Sequence, residues 1–148
     1  MRIPPLLLMM LIVVAMYFSA PFLPTITLYQ TVSVYVAAIV LVLGFVIAVL
    51  AIWEFHRVKT TVDPIHVENT SQLVTSGVYS VSRNPMYVSF SLMLLAFVIY
   101  LRSPLLVSGV IFFVVYLNVF QIGAEENFMR GKFGADYEDY VRRVRRWI

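Results

Sequence analysis

The chain has 148 residues, of which 61% are hydrophobic and 13% are charged, and its formal net charge is +3. Soluble domains usually contain about 25% charged residues, so this composition favours an integral membrane protein. The chain has no cysteine, which excludes disulfides, thiolate catalysis and a thiolate zinc site. With two histidines we expect no metal site. The basic residues lie beside apolar runs, where anionic headgroups attract them, so we expect membrane lipids as partners and no nucleic acid.

Four long apolar runs predict an all-α integral membrane protein with about four transmembrane helices in a single membrane domain. The runs cover residues 3–20, 32–53, 85–102 and 105–122, and Arg102 at the edge of the third run is their one charged residue. A helix needs roughly 17–25 apolar residues to cross a bilayer. The first run also resembles a signal peptide, but its apolar core exceeds the usual length of about 7–15 residues and further spans follow it.

Proline and glycine mark the connections between these runs. Pro21 and Pro24 end the first helix, and the turn at residues 102–104 makes helices three and four an antiparallel hairpin. The polar loop 54–84 is the one connection long enough to carry a site of its own. Residues 123–148 follow the last span as a tail.

The charges predict how the helices are oriented. All 11 Lys and Arg residues except Arg102, and all eight acidic residues, fall on the side that holds the N-terminus, the loop 54–84 and the tail. Basic residues concentrate on the cytoplasmic side of membrane proteins. We therefore expect both termini to be cytoplasmic.

The tail combines aromatic and basic residues at helical spacing. Its apolar positions are Phe133, Tyr137, Tyr140, Val144 and Trp147, and its arginines are Arg142, Arg143, Arg145 and Arg146. This pattern predicts an amphipathic helix in the membrane interface, with the aromatic face towards the lipid and the arginines towards headgroups.

A first candidate site lies where the third span begins. Asn84 and Pro85 are typical of the N-cap and the first position of a helix, and a helix N-terminus can also bind a polar or anionic ligand group. Arg83 could hold a carboxylate or anchor the helix at the interface. Tyr87, one turn into the helix, could line a site or belong to the aromatic belt.

A second candidate site follows the fourth span. Glu125 and Glu126 come directly after the apolar run, near a predicted helix C-terminus, where the helix dipole disfavours negative charge unless the helix continues. A ligand with hydroxyls or a positive charge would give these carboxylates partners. A salt bridge to Arg83 or Arg57 is the structural alternative.

Taken together, these motifs resemble the isoprenylcysteine carboxyl methyltransferase family and its relatives, the phospholipid N-methyltransferases. The resemblance extends over residues 55–147 and rests on the order and spacing of five segments. They are residues 60–64, Gly77-Val78-Tyr79, Arg83-Asn84-Pro85-Met86-Tyr87, Glu125-Glu126, and Phe133-Gly134 followed by Tyr137 and Tyr140.

The resemblance implies methyl transfer from S-adenosylmethionine to a lipophilic or small acceptor, a carboxylate or an amine, at the cytoplasmic face of a prokaryotic cell membrane. It implies catalytic roles for Arg83, Tyr87 and Glu126. The cofactor-binding residues that it implies are Gly77, Tyr79, Arg83, Asn84, Tyr87, Glu125, Glu126, Tyr137, Tyr140 and Arg143.

The sequence departs from the family pattern at one site position, where Asn84 stands in place of the usual histidine. Asparagine can donate and accept hydrogen bonds but does not titrate near neutral pH. Proton removal from an amine acceptor would therefore fall to Glu126 or Tyr87, whereas a carboxylate acceptor needs no base.

Two other functions fit parts of the sequence. A non-enzymatic membrane scaffold would explain the helices and the basic tail but not the ordered motifs. A nicotinamide-dependent membrane reductase of the sterol reductase type would use the tail arginines to bind phosphate. Transport is disfavoured because the spans carry no internal charge.

Overall fold

A computed structural model of the protein describes residues 3–57 and 72–148. Within these ranges all elements of regular secondary structure are helices, which confirms the predicted all-α class. The six α-helices are α1 (Pro5–Ser19), α2 (Gln30–Arg57), α3 (Pro85–Leu101), α4 (Val107–Tyr116), α5 (Gly123–Phe133) and α6 (Ala135–Arg143). The predicted family segment at residues 60–64 lies outside the described residues.

The helix α3 occupies the centre of an antiparallel bundle, in contact with α1, α2 and α4. It approaches α2 closely at Gly44, where an added Cβ atom would lie 3.1 Å from the backbone oxygen of Ser89. Its other faces pack into a core with Leu94, Phe113 and Leu117 completely buried. Because α3 carries no charge, it can be surrounded on all sides without leaving a charged group unpaired.

In the part of the chain that the structure describes, three helical stretches are long and apolar enough to cross a membrane: Pro5–Phe22, Gln30–Arg57 and Pro104–Phe133. The helix α3 is apolar but has 17 residues, about 26 Å at the usual rise per residue. Large apolar side chains on α2 remain exposed, among them Tyr35, Ile39 and Phe45, as expected of a surface that faces lipid. The membrane character is therefore supported, while the count of four spans stays a prediction.

The last long helix differs from the prediction, which ended the fourth span at residue 122. The helix instead continues from α4 through a π-helical segment, Leu117–Ile122, directly into α5. Glu125 and Glu126 therefore lie in the first turn of α5 and not at a helix C-terminus. The unfavourable dipole interaction that made them puzzling in the sequence does not arise.

The tail also differs from the predicted interfacial helix. The chain turns at Gly134, whose φ of +51° favours glycine, and the short helix α6 folds back onto the protein. Tyr137, Tyr140 and Val144 are buried there in one cluster, against which Met129 packs. These residues on the aromatic face of the tail thus pack against protein.

The two ends of the bundle are closed differently. One end, here called the polar end, gathers the end of α2, the segment 76–87 and residues 118–147. At the opposite end the predicted turn between α3 and α4 is present: the Arg102 carbonyl accepts a hydrogen bond from Ile26 N at 2.9 Å, and Ser103 Oγ donates to the Pro24 carbonyl at 3.0 Å.

Candidate functional site

The polar end is organised around the carboxylate of Glu126, which is 5% exposed. Arg83 NH2 donates to its Oε1 at 2.8 Å. Arg146 donates to both oxygens, from Nε to Oε1 at 3.0 Å and from NH2 to Oε2 at 2.7 Å. Glu126 therefore holds two arginines from segments distant in sequence, and charge-assisted bonds of this kind are the strongest hydrogen bonds in proteins.

The guanidinium of Arg83 is nearly saturated by protein. Besides Glu126, it donates from NH1 to the carbonyls of Val141 at 3.2 Å and Val144 at 2.9 Å. Its Nε is buried and has no hydrogen-bond partner among the described residues. A buried donor without an acceptor costs free energy, which makes this N–H a candidate contact for a ligand oxygen.

The segment that leads into α3 is paired with the end of the chain. Arg83 N donates to the Arg145 carbonyl at 3.0 Å, and Asn84 Nδ2 donates to the Arg146 carbonyl at 2.9 Å. Asn84 is the N-cap residue of α3, with Pro85 following it as predicted, but its side chain makes no capping hydrogen bond. Its amide fastens the tail instead, because the Arg146 carbonyl is within reach.

A second polar cluster lies beside the first, between α3 and the π-helical segment. Tyr87 Oη donates to Glu125 Oε1 at 2.7 Å, and Gln121 Nε2 donates to the same oxygen at 2.6 Å. Asn118 Oδ1 accepts from Trp147 Nε1 at 3.2 Å and from Arg146 NH1 at 3.4 Å. The end of the chain thereby joins the two clusters.

The turn Gly77–Ser80 forms the third part of the polar end. Tyr79 is buried, its ring lies edge-on to Phe55 at 5.3 Å between centroids, and its carbonyl accepts a hydrogen bond from Tyr140 Oη at 2.6 Å. Burial raises the pKa of both the Tyr79 and the Tyr140 hydroxyls well above the ordinary value. Both groups therefore stay protonated, and the Tyr140 hydroxyl remains a hydrogen-bond donor.

Most of the predicted site residues come together in this region. Arg83, Asn84 and Glu126 are connected through direct contacts or through Arg146. The hydrogen-bonded pair of Tyr87 and Glu125 lies next to them, because Glu125 directly precedes Glu126 in α5. Of the two interpretations left open for Glu126, the salt bridge to Arg83 is present. Tyr79 and Tyr140 lie beside the same region and are hydrogen-bonded to each other.

Arg143 is the exception among the predicted cofactor-binding residues. Its side chain is exposed, and its Nε donates to the carbonyl of Asp139 within α6. Helical geometry explains this, because the buried face of α6 is set by Tyr137 and Tyr140 and Arg143 falls outside it. The structure does not bring Arg143 to the polar clusters.

Several polar residues of this region were not predicted from the sequence as site residues. Arg146 was interpreted as a headgroup anchor, and Asn118 and Gln121 were interpreted as part of an apolar span. Their spacing carried a signal, since residues 118, 121 and 125 recur at the three- and four-residue intervals of one helix face. The partner of Arg146 could not be found in this way, because it lies 20 residues away.

Comparison with known protein sequences indicates the family to which this chain belongs. A profile of the phospholipid methyltransferase family matches residues 32–136 of the chain. The chain belongs to this family. The matched range includes Glu125, Glu126 and the whole segment that leads into α3, so it contains most of the polar end.

Proteins from plants and from a bacterium are similar to this chain in sequence. A probable protein-S-isoprenylcysteine O-methyltransferase of Oryza sativa is 37% identical over 112 residues, 74% of this chain and 58% of the rice protein. Protein-S-isoprenylcysteine O-methyltransferase B of Arabidopsis thaliana is 32% identical over 106 residues, 70% of this chain and 53% of that protein. An uncharacterized protein of Haemophilus influenzae is 44% identical over 63 residues, 43% of this chain and the whole of that protein.

The chain thus spans little more than half the length of these plant relatives. No solved structure matches it. The family match and the names of the relatives confirm the predicted resemblance, and the apolar helices support a membrane location.

Proposed function

We propose that this protein transfers a methyl group from S-adenosylmethionine to a lipid-soluble or small acceptor at its polar end, on the cytoplasmic side of the membrane. The observation that carries the proposal is the convergence of Arg83, Tyr87, Glu125 and Glu126, from two separate parts of the chain, into adjoining buried clusters. Burying so many charged and polar groups is costly for a small membrane domain, and ligand binding gives a reason for it.

The polar groups fit the chemistry of the cofactor. S-adenosylmethionine carries a carboxylate, an ammonium group and ribose hydroxyls. The partnerless Nε of Arg83 suits the carboxylate, and the carboxylate of Glu125 suits the ammonium group or the hydroxyls. We assign Gly77 and Tyr79 to the wall of the site, and Asn84 to holding the tail over it through the Arg146 carbonyl.

When bound, S-adenosylmethionine supplies a methyl group that its positively charged sulfur already activates. The task left to the protein is alignment of cofactor and acceptor in a site that excludes water. We propose that Glu126 serves this task indirectly, since each of its oxygens already accepts hydrogen bonds from arginine and it fixes the position of Arg83.

This arrangement changes the expected proton acceptor for an amine substrate. Two guanidinium groups neutralise Glu126, which makes it a poor base, and Asn84 does not titrate. The carboxylate of Glu125, which accepts a hydrogen bond from the Tyr87 hydroxyl, is the better placed group. We keep both acceptor classes, lipophilic carboxylate and amine, because the relatives are named as O-methyltransferases and the family is named for phospholipids.

We further propose that the acceptor reaches the site sideways from the bilayer. The faces of α2 and α4 carry exposed apolar residues such as Phe45 and Phe112, which suit contact with lipid tails. A soluble cofactor and a lipid-soluble acceptor would then meet where α3 begins.

Isothermal titration of S-adenosylmethionine into the protein purified in detergent tests this proposal. We expect the wild type to bind and Arg83→Ala to bind at least about tenfold more weakly, because a charge-assisted contact is lost, with membrane insertion intact. Arg142→Ala is the matched control, since that side chain is 77% exposed, and we expect it to bind as the wild type does.

Thermal shifts in the same detergent separate the competing functions, because a ligand stabilises only the protein that binds it. A rise in melting temperature with a nicotinamide dinucleotide, but none with S-adenosylmethionine, would show a reductase. No shift with either ligand would favour a scaffold.

A further inference from the structure

A buried carboxylate outside the clusters described above lies at the end of α2. Glu54 is 4% exposed and sits in the last turn of the helix. Burial removes the hydration of a carboxylate, which costs free energy unless other hydrogen-bonding partners replace the water. A carboxylate at this position therefore calls for specific partners.

Those partners come mainly from the segment that follows the loop. Ser76 Oγ donates a hydrogen bond to Glu54 Oε2 at 2.8 Å. Arg57 NH2 lies 3.3 Å from the same oxygen and donates to Ser76 Oγ at 3.0 Å. The Arg57 side chain is 52% exposed, so its ion pair is weakened by solvent and the hydroxyl of Ser76 is the closer contact.

The neighbouring residue shows how tightly the two segments fit. Gly77 has a φ of +58°, and a Cβ atom placed on it would collide with the carboxylate of Glu54. Both the backbone conformation and the nearby carboxylate therefore favour glycine at this position. Glu54 lies directly against the backbone of the turn Gly77–Ser80, which begins at this residue.

The same turn leads into the proposed cofactor site. Tyr79 is bound from the other side through the hydrogen bond of Tyr140 to its carbonyl, and Arg83 follows four residues later. The segment 76–84 is thus fastened to α2 at its beginning and to the tail at its end. A change at Glu54 would displace the turn while leaving the clusters at Glu126 and Glu125 intact.

We infer that Glu54 is a positioning residue for the cofactor: it holds Ser76 and the backbone of Gly77, and thereby sets the conformation of the turn that lines the site. This inference rests on the function proposed above. Glu54 does not touch the clusters of Arg83 and Glu125 in the described contacts, so it acts through the turn.

The experiment compares Glu54→Gln, Ser76→Ala and the double variant with the wild type, by titration of S-adenosylmethionine at a temperature well below each melting temperature. We expect each single variant to raise Kd about tenfold, the effect of losing one hydrogen bond to a charged group. The double variant should be no weaker than the worse single variant, because both changes break the same contact. Ser76→Thr keeps the hydroxyl and should restore wild-type affinity.

Glu138→Gln is the matched control, because it removes an exposed carboxylate that pairs with Arg130 at 2.8 Å; we expect an unchanged Kd. Ser76→Ala leaves the carboxylate and its arginine in place, so it remains informative if Glu54→Gln does not fold. Variants that melt at a lower temperature but bind with unchanged Kd would show that Glu54 only stabilises the fold, and would overturn the inference. A wild type that does not bind S-adenosylmethionine would instead overturn the proposed function itself.

Discussion

Both ends of α3 are fastened to distant parts of the chain, but by contacts of different kinds. At the opposite end, the turn after α3 is bound to residues 24–28 by neutral hydrogen bonds from Ile26 N and Ser103 Oγ and by one from Arg102 NH1 to the Leu28 carbonyl at 3.3 Å. At the polar end, Arg83 is bound by a buried ion pair as well as by two carbonyls.

The difference indicates which contacts are needed for stability alone. Hydrogen bonds to backbone carbonyls, without an ion pair among the described residues, are enough to close a helical hairpin, as the opposite end shows. The buried ion pairs at the polar end exceed that requirement, since such pairs often contribute little net stability compared with apolar packing. We therefore attribute the charges of the polar end to function and the hydrogen bonds of the opposite end to stability.

The largest expected effect comes from Glu126→Ala, which leaves the guanidinium groups of Arg83 and Arg146 without their shared carboxylate. Removing one partner of a buried pair costs about 3–5 kcal/mol, and we expect the lower part of that range because the Arg146 side chain is 39% exposed. The melting temperature in detergent should fall, and titration should detect weaker binding of S-adenosylmethionine.

Insertion should be unaffected, because the substitution replaces a charged residue by an apolar one and leaves the apolar residues of the stretch Pro104–Phe133 unchanged. Recovery of Glu126→Ala in the membrane fraction at the wild-type level is the control for this prediction. A variant that melts and binds as the wild type does would contradict the role given to Glu126.

A smaller effect is expected for Tyr140→Phe, which removes the hydrogen bond to the buried Tyr79 carbonyl. An unsatisfied buried acceptor costs about 1–3 kcal/mol. The bond also predicts a pH dependence: burial raises the pKa of the Tyr140 hydroxyl in the folded state, whereas in the unfolded state it titrates at about 10. The stabilisation is therefore complete below about pH 10 and is lost as the pH rises further.

Melting temperatures from about pH 8 to about pH 11 check this prediction. The wild type should lose more stability over the alkaline part of this range than Tyr140→Phe does, because the variant has one fewer group with a raised pKa. Parallel curves for the two proteins would show that Tyr140 does not contribute to the slope.

The fold was largely predictable because the apolar runs determine where helices form. The turn at Arg102 and the helix start at Pro85 follow from local residue preferences. The sequence did not predict that α4 continues into α5. The drop in hydropathy after residue 122 indicates the end of the apolar span, but Gly123 and the residues after it can continue a helix. Composition marks where a membrane span can end, which is not always where the helix ends.

The site was predictable as a set of residues but not as a set of partners. Arg83 and Glu126 could be identified from motifs, whereas the contribution of Arg146 depends on how α6 folds back. The spacing of the aromatic residues in the tail predicted a face towards lipid, but periodicity alone does not tell whether an apolar face meets lipid or protein. Tyr137 and Tyr140 meet protein.

The smallest effect is expected for Ser103→Ala at the opposite end, where the hydroxyl of a completely buried serine donates to the Pro24 carbonyl at 3.0 Å. Loss of this neutral bond should cost about 1 kcal/mol and lower the melting temperature by about 2–4 °C. The Kd for S-adenosylmethionine should not change, because the bond lies at the far end of α3. If Ser103→Ala weakened cofactor binding, the two ends would be energetically coupled through α3, and stability and function could not be assigned to separate ends of the helix.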